Sequence, residues 1–500
     1  MPDPARVAPP GPDDGAVARR AGQTDRPAGQ TDRPAAGGAS GSDQPGRGER
    51  LGFAVGDVFM GGASSLISVL YLIFLTDVVG LRPGLAGSVV LVAKVWDAVN
   101  DPLMGALSDR TRTRWGRRRP FMVVGAILLV PAMALLWLPQ VPATGQLPMF
   151  VWAVASYVLY ATVQTVMAVP YSSLSTEIAT DYDVRNRANT LRLLLSTVSS
   201  AVCSLLATAL FEAYRSGDLS ATGLYLGIVL GVGAVLTACV LVSALVSRER
   251  TPLPTSVQSV SLRTFTAPLR LRTFRRLLGM YLSHSLALDI ITTTLLYYTL
   301  YVVTGVSTQV VLGIFIAVNV VAYPIVTALV GRVSKVTVYR TLLPLGVVAA
   351  LGVALYPASW PAWGVYAVAL LLATGMAGAQ LMPWVMFGDV VDDADLATGR
   401  RDAGSFSGMM TFVRGLATAV VVQVIGLVLE LTGYVAPADN EVVEQSDATQ
   451  WGIRLVLGIG VAGMLLAGRQ VARDYSISRE RALATADELA SRRAGGVEAS

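Results

Sequence analysis

Apolar side chains along this chain gather into long runs separated by short polar stretches. A bilayer core about 30 Å thick is crossed by roughly 20 helical residues. Runs of that length fall at 52–76, 84–108, 120–139, 148–174, 188–213 and 223–246. A second set falls at 276–303, 307–330, 340–357, 361–387, 405–432 and 450–469. Two sets of six, divided by the polar stretch 247–275, predict an all-α membrane protein of twelve transmembrane helices in two six-helix bundles. The implied domains are a tail at 1–48, bundles at 49–246 and 276–470, a linker at 247–275 and a second tail at 471–500.

Composition excludes the soluble alternative. Of 500 residues, 53% are hydrophobic and 15% charged, with a mean hydropathy of +0.55. Soluble domains carry about 25% charged residues, so this chain lacks the polar groups to cover a water-facing surface. Its 48 glycines suit close approach of membrane helices. A net charge of +5 does not indicate nucleic acid, because the basic residues cluster between apolar runs. Arginines crowd the 2–3 loop, the 6–7 segment and the 8–9 loop, whereas the 11–12 loop is acidic. All the basic loops share one side if both termini are cytoplasmic.

Other features add little chemistry. Cys203 and Cys239 both sit in apolar runs and read as free thiols. Residues 1–48 are poor in large apolar side chains, and the heptad AGQTDRP of Ala21–Pro27 repeats at Ala28–Pro34. Such a segment is expected to be unstructured, and it lacks the layout of a cleavable signal peptide. The first span is therefore expected to drive insertion. No phosphate loop with its lysine is present, and the acids of Asp389–Asp395 lack the spacing of a calcium loop. The stretch from Arg469 to Ser500 reads as a charged, helical extension.

Charges inside the spans carry more. Span 2 places Lys94, Asp97 and Asp101 at i, i+3 and i+7, on one helical face, with Asn100 beside them. Each such charge costs a few kcal/mol within a bilayer, so it faces a polar cavity or binds something. Two carboxylates with an amide oxygen nearby suit a hard cation; the competing reading is an ion-pair network that only joins helices. Span 7 holds His284, the sole histidine, and Asp289 in an apolar run. Asp289 is a candidate for substrate or proton contact, and His284 reads as a satisfied interface residue.

The stretch beginning at Trp96, WDAVNDPLMGALSDRTRTRWGRRRPF, resembles a known signature. It is similar to helix 2 and the following loop of the glycoside-pentoside-hexuronide:cation symporters, the melibiose-permease-like family of the major facilitator superfamily. TDVVGL at Thr76–Leu81, VPYSSL at Val169–Leu174, TDYDVRNRANTLR at Thr180–Arg192 and the segment Met382–Gly408 match the same family in order. The resemblance runs from about Leu51 to Tyr434. It implies a cation site at Asp97 and Asp101, with Asn100 and Thr165 contributing. It assigns Arg192 to sugar recognition and puts Arg414 where the family commonly has a lysine. An arginine there keeps the charge but does not release its proton easily, and balancing the span-2 carboxylates is an equal alternative role. Lys94, Asp57, Gln164 and Asp289 complete the candidate substrate set. Gly105, Asp109, Arg110, Arg117, Arg118 and Asp389 are the candidate gating residues.

The departures bear on substrate. The family's sugar-binding aspartates on helices 1 and 4 correspond here to Gly61 and Ala168, and Ser172 replaces the following aromatic. Charge-assisted bonds to sugar hydroxyls are thereby lost, and galactoside specificity does not transfer. The expectation is a secondary transporter, not an enzyme, that couples a sugar or glycoside to Na+ or H+ by alternating access. It needs no cofactor, no metal beyond the coupling cation and no obligate protein partner. Its expected location is the bacterial inner membrane, among lipid. Two rivals are a cation-coupled carrier of lysophospholipid or another amphiphile, and a non-transporting sensor on the same scaffold.

Overall fold

The computed structural model describes residues 44–142, 144–179, 181–250, 266–330, 332–398, 403–437, 443–477 and most of 480–491. The repeat-bearing segment expected to be unstructured lies outside them up to residue 43, as does most of the expected 247–275 linker. Twelve long helices run through the described residues. They are α1 (47–78), α2 (Pro83–Arg110), α3 (Arg119–Leu136), α4 (Gln146–Glu177), α5 (Tyr182–Arg215) and α6 (Ala221–Val246). The second set is α7 (Arg272–Tyr301), α8 (Thr308–Val330), α9 (Lys335–Leu355), α10 (Ala362–Thr398), α11 (Ala403–Leu431) and α12 (Asp447–Arg473).

Ten of these are long and apolar enough to cross a membrane, and α2 and α7 are not among the ten. Helix α2 carries Lys94, Asp97, Asp101, Asp109 and Arg110, and α7 carries basic residues at its start, His284 and Asp289. These two helices are the ones that carry Asp97, Asp101 and Asp289. Helix α2 packs on α4 and α11 and exposes Val92, Val95, Val99, Leu103 and Leu107 at its surface, whereas α7 packs on α10, α11 and α12 and is largely buried.

Helix ends differ from the apolar runs for local reasons. Pro83 opens α2 at its first turn, where its missing N–H costs nothing. The Asp181 side chain caps α5 by accepting from Val184 N–H, so α5 starts at Tyr182, before the apolar run at 188. Helix α7 begins at Arg272, within the stretch expected to be linker. Helix α1 passes the expected end at 76 through π-helical turns at Ile67–Tyr71 and Phe74–Val78. That extension carries Asp77, beside the buried Thr76, into the interior.

The halves repeat one another. Pro170 lies within α4 and Pro383 within α10, each removing one helical hydrogen bond. Where α3 begins, Arg117 and Arg118 reach Glu177 at the end of α4. Where α9 begins, Lys335 reaches Asp389 on α10. Both bridges lie at one end of the bundle, together with the arginine-rich 2–3 loop; this is called the basic end below.

The two halves close against each other at the far end. A Cβ at Gly426 on α11 would lie 2.3 Å from the Pro83 carbonyl oxygen of α2, and one at Gly87 would lie 2.9 Å from the Gln423 Cα. Only glycines allow that approach. The Glu430 carboxylate accepts from Gly84 N–H at 2.8 Å, and Gln423 donates to the Gly84 carbonyl at 3.2 Å.

Candidate functional site

A cavity of about 130 Å3 lies between the halves. Helix α2 contributes Lys94, α4 contributes Gln164, α7 contributes Asp289 and α11 contributes Arg414. These four were expected from sequence as substrate residues, and the fold brings them to one wall-to-wall space. Hydroxyls of Ser64 and Ser68 on α1, Thr293 on α7 and Thr418 on α11 complete its polar surface, with Tyr157 at one side.

The charges arrive in pairs. Lys94 Nζ donates to Asp97 Oδ2 at 2.8 Å within α2. Across the cavity, Arg414 Nη2 donates to Asp289 Oδ1 at 3.1 Å and Thr418 Oγ1 donates to Oδ2 at 2.6 Å. The Asp289 side chain is 7% exposed and that of Arg414 is 36% exposed. Pairing is what allows these groups to sit at membrane depth.

One helical turn beyond Asp97, Asp101 accepts from Thr165 Oγ1 of α4 at 2.7 Å. Asn100 buries its side-chain amide nitrogen with no partner. The four side chains expected as a cation site thus lie along α2 and α4, with Asp97 paired to Lys94 and Asp101 to Thr165. Among the described residues no group of three or more His, Cys, Asp or Glu side chains could hold a metal.

Asp57 and Arg192 are brought together but lie apart from the cavity lining. Arg192 Nε is 3.4 Å from Asp57 Oδ2, its guanidinium stands 5.6 Å from the Tyr171 ring, and Asp57 is 5% exposed. Gly61, one turn along α1, faces α5 directly: a Cβ there would be 2.0 Å from the Ser196 carbonyl oxygen. An aspartate cannot occupy that position without parting the two helices. Ser199 Oγ donates to the Val58 carbonyl at 2.7 Å and holds the same seam.

At the basic end, Arg118 reaches Asp109 at 2.5 Å and Glu177 at 3.2 Å, and Arg117 reaches Glu177 at 2.6 Å. The backbone N–H groups of Arg117 and Arg118 donate to Glu249 at 3.1 and 2.7 Å. Arg110 is exposed. A Cβ at Gly105 would meet only Val169, at 3.8 Å. Asp389 pairs with Lys335 at 2.7 Å, and Arg481, beyond α12, reaches Asp393 at 2.8 Å. These charges are joined within each half, so in this conformation they brace the halves individually.

Sequence reasoning missed the far seam. Asp77 is buried and accepts from Thr76 Oγ1 at 2.7 Å, from Tyr434 Oη at 2.6 Å and from Tyr301 Oη. Thr76 Oγ1 lies 2.9 Å from Tyr297 Oη, and Arg215 stands over the Tyr301 ring. Helix α8 adds Thr308 N–H, which donates to Glu212 of α5 at 3.2 Å. The available signal was an acid at the edge of an apolar run. Ending the span at residue 76 left it just outside. His284 is buried with both ring nitrogens unpartnered, so the satisfied-interface reading does not describe it.

A paired-charge cavity between two repeated six-helix halves defines a membrane transporter, and the comparisons agree. The chain belongs to the MFS/sugar transport protein family, whose description matches residues 52–479. It is 27% identical to a protein named as a candidate glycoside/cation symporter, YagG, of Escherichia coli, over 79% of this chain and 85% of that one. It is 25% identical to the sodium-dependent lysophosphatidylcholine symporter 1-A of Danio rerio, over 86% and 85%. The fold is also that of the xylose transporter XylE from E. coli in its inward open conformation, with a TM-score of 0.55 at 13% identity over 86% and 96%. The protein is a major facilitator transporter, not an enzyme.

Proposed function

We propose that this chain is a secondary symporter that couples uptake of a sugar or glycoside to a monovalent cation, Na+ or H+. The observation that carries the reading is the cavity between the halves, where Lys94, Gln164, Asp289 and Arg414 meet beside the Asp97–Asp101 oxygen cluster. The basic end is assigned to the cytoplasm of a bacterial plasma membrane. A cation bound by Asp97, Asp101, Thr165 and Asn100 favours substrate binding, and the coupling is reciprocal: substrate tightens the cation by the same factor.

At about 130 Å3 the cavity is smaller than the 300 Å3 or more that ligand sites commonly offer. The far seam is closed while the basic-end charges are joined only within each half, which fits one stage of an alternating-access cycle in which rocking of the halves reshapes the site. Asp109, Arg110, Arg117, Arg118, Asp389 and Gly105 are assigned to the basic-end gate. The hydroxyls of Ser64, Ser68, Thr293 and Thr418 and the paired charges support a sugar, while Ile67, Leu72, Val90 and Val422 give the same cavity an apolar side.

The test is uptake into proteoliposomes of labelled glycosides, pentosides, uronides and lysophosphatidylcholine, with and without an inward Na+ or H+ gradient. Gradient-dependent accumulation of a sugar supports the reading. Accumulation of the lysophospholipid alone assigns the lipid function of the Danio rerio relative instead.

A further inference from the structure

We propose that Asp289 and Arg414 form a diol-reading pair and that the substrate is an uncharged sugar. This rests on the symporter reading and on the oxygen cluster of α2 as the cation site. In the first half, the acid position at residue 61 is closed to any side chain by the Ser196 carbonyl, and Asp57 is held by Arg192 away from the cavity. The carboxylate that lines the cavity is Asp289, on the opposite half.

Its geometry suits hydroxyl recognition. Oδ1 accepts from Arg414 and Oδ2 from Thr418, and each carboxylate oxygen has a second lone-pair site. Two adjacent hydroxyls can then divide between the pair, one donating to Asp289 and its neighbour accepting from Arg414, whose guanidinium has donors to spare. Gln164, Ser64, Ser68 and Thr293 stand around the same space for the remaining hydroxyls.

Charge counting favours a neutral sugar over an acid one. Lys94 and Arg414 oppose Asp97, Asp101 and Asp289, a balance of −1 from two positive and three negative groups. One monovalent cation brings that balance to zero. A neutral substrate keeps it there as the halves rock, whereas a uronide restores an uncompensated charge at membrane depth.

The experiment is equilibrium binding to the full-length protein in nanodiscs, with and without Na+ and at two pH values. The probes are methyl β-D-glucoside, methyl β-D-xyloside, methyl β-D-glucuronide and the monodeoxy analogues of the two neutral glycosides. Expected is cation-dependent binding of a neutral glycoside, with the glucuronide at least tenfold weaker. Removing one hydroxyl of a vicinal pair should cost about tenfold to a hundredfold, and Asp289→Asn should abolish that discrimination. Tighter binding of the glucuronide, or undiminished deoxy discrimination in folded Asp289→Asn, overturns the proposal and leaves symport intact. If the variant fails to fold, the analogue series on unmutated protein decides. Absence of cation-dependent binding by every probe overturns the symporter reading and this proposal with it.

Discussion

Tyr434 Oη lies 2.6 Å from Asp77 Oδ1, joining the segment after α11 to the end of α1 across the two halves. Both side chains are buried, and Tyr301 of α7 donates to the other carboxylate oxygen. A hydrogen bond to a charged group contributes about 1.5–3 kcal/mol. Tyr434→Phe therefore shifts the equilibrium between far-end-closed and far-end-open forms roughly tenfold to a hundredfold toward open. Distances between spin labels on the far ends of α2 and α11 read that shift; an unchanged distribution removes the seam from the gating account.

Glu177 makes the basic-end cluster of the first half. It is 7% exposed and accepts from two arginines, so Glu177→Ala leaves Arg117 and Arg118 with only Glu249 and Asp109 as counter-charges. Removing both partners of a buried cation costs about 3–5 kcal/mol, and losing one of two costs less. A clear fall in the thermal unfolding midpoint of the purified protein is expected. Glu444, exposed between α11 and α12, lacks this setting, and its substitution should leave the midpoint nearly unchanged.

Gly61→Asp tests whether the missing acid of helix 1 can be restored. The first atom added meets the Ser196 carbonyl oxygen at 2.0 Å, and overpacking of this kind costs about 1–3 kcal/mol or more. Loss of folded yield without gain of sugar binding is expected. A folded variant with tighter galactoside binding contradicts the close α1–α5 packing.

Gly105→Ala separates folding from gating. With the nearest atom 3.8 Å from the added carbon, the substitution fits this conformation, and the unfolding midpoint should hold. If Gly105 serves a second conformation, as its gating assignment requires, the transport rate falls while the fold persists. An unaltered rate removes Gly105 from the gate.

The architecture was legible because bilayer thickness imposes a length on every apolar run, and twelve such runs found twelve helices. The charged face of α2 was legible because Asp97 and Asp101 are costly in lipid and one turn apart on that helix. Partners from distant segments were not: nothing in the local sequence pairs Asp289 with Thr418, or Gly61 with Ser196. The Asp77 seam escaped because π-helical turns lengthen α1 beyond its apolar run. Arg192 and Asp57 were chosen as substrate residues, yet they pair with each other apart from the cavity lining, since close packing of α1 on α5 determines where they point.

The most direct test of cation-coupled transport is uptake driven by a Na+ or H+ gradient in proteoliposomes holding wild type, Asp97→Asn or Asp101→Asn. Wild type is predicted to accumulate its sugar above the external concentration, and both variants are predicted to lose that accumulation while keeping an unchanged unfolding profile. Undiminished accumulation in both variants would contradict the assignment of the α2 carboxylates as the coupling site.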